Sequence, residues 1–98
     1  MDDGKIYLLA ELTVLPDYLD QFKAIIKETF SHTRKETGCE AMILTSREDD
    51  QYKLVFFEIF SSQAAHTFHL EQDYAKRFFV AAEKMLAESA VMTKLKGL

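Results

Sequence analysis

The sequence predicts an α+β fold with the element order β-α-β-β-α-β, and three observations carry that prediction. Residues 5 to 15 and 52 to 60 are apolar without a helical period, and read as strands covered on both faces. A polar REDDQ stretch of hairpin length precedes the second of these runs. Elsewhere, apolar residues recur at three- and four-residue spacing, as in amphipathic helices.

The first strand, KIYLLAELTVL, stops at Pro16. Pro16 and Asp17 open a helix, because proline fits the first turn and an acid there complements the helix dipole. Leu19, Phe22, Ile25, Ile26, Phe30 and Thr33 mark its buried stripe, and Gly38 is expected to end it in the C′ position. CEAMILTS (39–46) is the second strand and YKLVFFEIF (52–60) the third. Ser61 and Ser62 offer N-caps for helical material running to about Glu88, with a break solvated by Glu71 and Asp73. Phe78, Phe79, Ala82, Met85 and Leu86 form its later apolar face, and AVMTKLKGL closes as a fourth strand.

That order is the ferredoxin-like split β-α-β arrangement: a four-stranded antiparallel sheet, both helical layers on one face, strands one and three at the centre. The 98 residues make a single domain, long enough for one sizeable core. An apolar sheet face left bare by the helices calls for a partner, so a homodimer packed sheet against sheet is expected. The net charge of −4, with basic residues scattered, argues against nucleic acid. Cys39 stands alone, which excludes a disulfide framework and suits a reducing compartment. The acidic N-terminus is unlike a signal peptide and the apolar runs are too short to span a bilayer, so a cytoplasmic location is expected and no membrane partner.

LLAELTVLPDYLDQF, TRKETGC and FFEIFSSQAAHTFH, in that order, resemble the antibiotic biosynthesis monooxygenase superfamily of dimeric α+β barrels. The resemblance covers nearly the whole chain. In layout it is nearest to quinol monooxygenases and to the phosphorylated-autoinducer isomerase. It implies a pocket between sheet and helices, and chemistry that runs without metal or flavin. The haem-degrading branch carries an Asn and a Trp where this chain has Glu11 and His69, which argues against haem. The isomerase branch carries a first-helix histidine near Phe30 that is lacking here, although His32 is close.

Within AAHTFHLEQDY, His66 and His69 look at first like metal ligands. On a helix, however, Ala64, Ala65 and Phe68 form the apolar side, with His69 at its edge and His66 toward solvent. Cys39 and His32 add no matching ligand spacing, so no metal is expected. His69 falls on the histidine that recurs in the family, and a stripe edge suits a group that titrates near neutrality. Glu58 and Glu11 interrupt the central strands, where a carboxylate is costly unless paired or lining a polar cavity.

The expected catalytic set is therefore His69 and Glu58 as bases, with Tyr74, where relatives carry a histidine, as hydrogen-bond donor. Glu11, Arg34, Phe57, Phe60 and Phe68 are the expected substrate contacts. Arg34 would pair with an acid or an anionic substrate, or simply solvate a helix end. The expected function is a cofactor-free monooxygenase acting with O2 on a quinol-like, electron-rich cyclic molecule. An isomerase of a small phosphorylated metabolite is the first alternative, and a non-catalytic ligand-binding or dimerisation module the second.

Overall fold

The computed structural model describes residues 3–98. Its strands are β1 (Ile6–Thr13), β2 (Cys39–Arg47), β3 (Asp50–Phe60) and β4 (Val91–Leu95), and its helices α1 (Leu19–Thr33), α2 (Gln63–Leu70) and α3 (Asp73–Met85). A 3-10 turn, Pro16–Tyr18, leads into α1, so the proline starts a helical segment as its fixed φ dictates. The sheet order is β2-β3-β1-β4, all antiparallel, which is the ferredoxin-like arrangement. Among the described residues no helix is long and apolar enough to cross a membrane.

The two faces of the sheet are set by strand parity. Leu8, Ala10 and Leu12 of β1 and Leu54, Phe56, Glu58 and Phe60 of β3 are buried under the helices. Alternate residues must point the other way. Glu11 pairs with Val55 and Val91 on the open face, and Phe57 lies there too, between Leu9 and Ile43. The sequence places both at the substrate; the structure puts both on the wrong side of the sheet to reach the helical layer. Because β1 and β3 are apolar in both phases, hydropathy alone leaves their parity open.

Aromatic packing joins the layers. Phe78 of α3 stacks on Phe22 of α1 with centroids 5.5 Å apart, and Phe30 meets both Phe78 (5.4 Å) and, edge-on, Phe56 of β3 (5.5 Å). The helical material after β3 is broken as expected, at Glu71 and Gln72, but it ends at Met85 rather than near Glu88. Ser62 caps α2, its hydroxyl accepting from the Ala65 N–H at 3.1 Å.

Gly38 has a different role from the one its position suggests. Helix α1 ends at Thr33, too early for Gly38 to be its C′, and Gly38 does not adopt a positive φ. Its place is a close approach instead: a Cβ built there would lie 2.3 Å from the Cβ of Ala65. The Gly38 carbonyl accepts from the Ser61 N–H at 2.8 Å, so the loop after α1 lies flush against the start of α2. We expect Gly38→Ala to cost about 1–3 kcal/mol by overpacking. Adding Ala65→Gly should recover part of that loss, a non-additivity readable by urea denaturation of the two single variants and the double.

Candidate functional site

Between β1, β3 and the helices lies a cavity of about 90 Å3. Its wall is mostly apolar, with Phe30, Phe56 and Phe78 on the inner side and Leu70, Phe79 and Met92 partly open to solvent. Set into that wall are Thr29 and three ionisable groups, Glu58, His66 and His69.

Glu58 is buried, 6% exposed, and its neighbours across the sheet are Leu8 and Met42. Among the described residues its carboxyl makes no hydrogen bond or ion pair. With nothing to stabilise the charge, desolvation alone raises its pKa to about 7. A carboxyl in that range can hold or release a proton at neutral pH.

His69, at the end of α2, is also buried, and its ring stacks on fully buried Phe60 at 5.1 Å. Its Nδ1 lies 2.8 Å from Oε2 of Glu36, whose side chain is only 5% exposed. The Tyr74 hydroxyl donates to the same oxygen, and burial followed by this bond pushes the phenol pKa well above its usual value. Oε1 of Glu36 has no protein partner among the described residues. Tyr74 is stacked from outside by His32 at 5.1 Å.

Glu36 is held in place by backbone bonds. Its N–H donates to the Thr33 carbonyl and its carbonyl accepts from the Cys39 N–H, at 3.0 and 3.1 Å. The flush seating of Gly38 on α2 then brings this turn within reach of His69. Sequence reasoning missed Glu36 as a site residue. It lies in the TRKETGC segment that carries the family resemblance, but an acid in a polar turn has no hydropathy signal.

The helical phase of α2 also differs from expectation. Phe68 is 54% exposed and Ala64 is exposed, whereas His66 is half-buried and lines the cavity. The helix is only eight residues long, so the pull of Ala64 and Phe68 toward the core is outweighed by the Gly38–Ala65 contact and the His69–Glu36 bond. His66 has its pKa lowered, first by burial and then by the charges of His69 and Lys94. Phe60 does not line the cavity; it backs His69 and His66. Phe68 does not reach the cavity either.

Tyr74 commits its hydroxyl to Glu36 and also lies outside the cavity wall. Arg34 is exposed just beyond α1, and its Nη2 donates to the Met42 carbonyl at 3.2 Å instead of meeting a carboxylate. Of the expected site residues, then, the cavity brings together His69 and Glu58. No three His, Cys, Asp or Glu side chains among the described residues are grouped as a metal site would require.

Residues 5–81 match the family described as antibiotic biosynthesis monooxygenase. A Synechocystis sp. protein, sll1783, of uncharacterised function, is 26% identical over 88 residues, which is 90% of this chain but 60% of that relative's length. A solved antibiotic biosynthesis monooxygenase superimposes with a TM-score of 0.89 at 19% identity, covering 95% of this chain and 98% of its own. Rv0793 from Mycobacterium tuberculosis superimposes at 0.90 with 23% identity, covering 96% and 95%. A conserved protein from Methanosarcina mazei Go1 gives 0.91 at 19%, covering 98% and 95%. At such identities these structures establish the fold.

The raised Glu58 pKa has a definite sign in stability. The carboxyl is at about 7 when folded and near 4.5 when exposed, so the stability of its protonated form is fully present below 4.5 and lost as pH rises through 7. Glu58→Gln should match wild type at about pH 4 and exceed it by about 3 kcal/mol at about pH 8. Denaturation curves across that range check this; a wild-type pH dependence that survives in the variant would contradict the burial of the charge.

Proposed function

Because the chain belongs to the antibiotic biosynthesis monooxygenase family, we propose that it is a monooxygenase that needs no cofactor and oxidises an electron-rich cyclic molecule of the quinol or anthrone type. The observation that supports this most is the pairing of His69 and Glu58 in an otherwise apolar cavity. An electron-rich ring, once deprotonated, can itself reduce O2, so the protein has only to remove a proton, return one and keep water away.

For a ring methylene activated by its neighbours, His69 takes the first of the two C–H protons. The resulting carbanion passes one electron to O2, and the radical pair joins to form a C–O bond. The peroxide anion is protonated to a hydroperoxide, and Glu58, its carboxyl pushed up to about 7, supplies that proton at neutral pH. Loss of the remaining C–H proton and cleavage of the O–O bond leave a ketone and one water. Methylene and O2 are thereby fully accounted for, one oxygen atom in each product. The cavity is smaller than the roughly 150 Å3 that holds benzene. A ring therefore enters by displacing the partly exposed side chains of Leu70, Phe79 and Met92.

The same two proton carriers also suit an isomerase, and the small cavity volume favours a small substrate of that kind. Oxygen separates the readings. Uptake of O2 with an anthrone or quinol, unaffected by chelators, is expected, with His69→Ala reducing kcat by roughly 10²–10⁴-fold. Turnover that persists anaerobically would turn the proposal toward the isomerase, and an unimpaired His69→Ala variant would end the assignment of His69 as base.

We also propose that two chains pair through the open sheet face. Ile43, Val91 and Leu95 there are 53%, 53% and 42% exposed beside Leu9, Val55, Phe57 and Ile59. Sedimentation should give twice the chain mass, and Ile43→Lys should shift it toward the single chain. A wild-type monomer at micromolar concentration would refute the pairing.

A further inference from the structure

We propose that Glu36 is the positioning residue of the reaction: its carboxylate fixes which nitrogen of His69 serves as the base. This rests on His69 being the base, as proposed above. A neutral imidazole carries its proton on one nitrogen and a lone pair on the other, and only the second can accept a proton. Nδ1 of His69 faces Oε2 of Glu36 at 2.8 Å, and a carboxylate there rewards a proton on Nδ1. Nε2 is then the nitrogen left with a lone pair, on a ring that lines the cavity.

The surroundings of Glu36 favour control over mere packing. Both its hydrogen bonds converge on one oxygen, from the end of α2 and from the first turn of α3. Tyr74 therefore holds the carboxylate against rotation while His69 is held by it, and His32 braces Tyr74 in turn. Phe60 supports the imidazole from its face. A histidine needed only to fill space would require none of this alignment, because stacking on Phe60 would suffice. A buried carboxylate is also weak evidence of stabilisation, since its desolvation offsets much of what its bonds contribute.

The tautomer can be read without substrate, from the nitrogen NMR shifts of the His69 ring at a pH where it is neutral. Wild type is expected to carry the proton on Nδ1. Glu36→Gln keeps an acceptor oxygen and should keep that tautomer, with partial activity. Glu36→Leu removes the acceptor and should admit the Nε2–H tautomer, lowering kcat by roughly 10²–10⁴-fold while KM changes little. Tyr74→Phe should leave the tautomer as in wild type.

A wild-type ring protonated on Nε2 overturns the proposal, whether or not the Leu variant folds. So does a folded Leu variant whose tautomer and kcat are those of wild type. If the tautomer results are as expected but His69→Ala turns over normally, the assignment of His69 as base fails instead.

Discussion

The site depends on one buried interaction: a carboxylate in the loop after α1 receives bonds from the end of α2 and the start of α3. Two stretches distant in sequence, the loop after α1 and the junction of α2 with α3, are thereby tied at a single oxygen. The loop can deliver that carboxylate only because Gly38 carries no side chain and rests against Ala65. A backbone constraint thus precedes the electrostatic one. Without the close approach, His69 would lack its partner, and the short helix α2 would lose what sets its rotation about its own axis.

The two carboxylates near the site are opposite cases of burial. Glu36 meets the His69 ring and the Tyr74 hydroxyl at one carboxylate oxygen. Glu58 is flanked by Leu8 and Met42, has no partner among the described residues and is pushed up to about 7. Two identical side chains thus meet opposite surroundings, polar partners at one and apolar neighbours at the other. The difference comes from position in the fold, because the side-chain chemistry is the same.

Much of the fold was legible in the sequence because its signals are local. The 3.6-residue period of α1, the proline before it, the serine cap of α2 and the polar hairpin turn each act within a few residues. His69 and Glu58 could also be found, the first from a motif and the second as a charge in an apolar strand. Glu11 looked the same as Glu58, since strands apolar on both faces hide their parity until pairing fixes it. Phe68 and His66 were exchanged for a similar reason: an eight-residue helix has too little apolar pattern to set its own phase. Glu36 was beyond reach because its significance lies in a contact 33 residues away.

Strand β3 presents Glu58 to the cavity, and its neighbours Phe57 and Ile59 to the open side. A slip of one residue in its pairing with β1 would exchange those roles throughout the strand. Two apolar faces would ordinarily tolerate such an error, since Phe and Ile can fill a core as well as Leu can. Glu58 makes the two registers unequal, for a slipped strand would turn its carboxyl out beside exposed Glu11 on the open face and fill the cavity with aromatic and branched aliphatic groups. Holding Glu58 in the native register therefore costs stability once its carboxyl ionises, and the pairing and packing of the rest of the strand have to outweigh that cost.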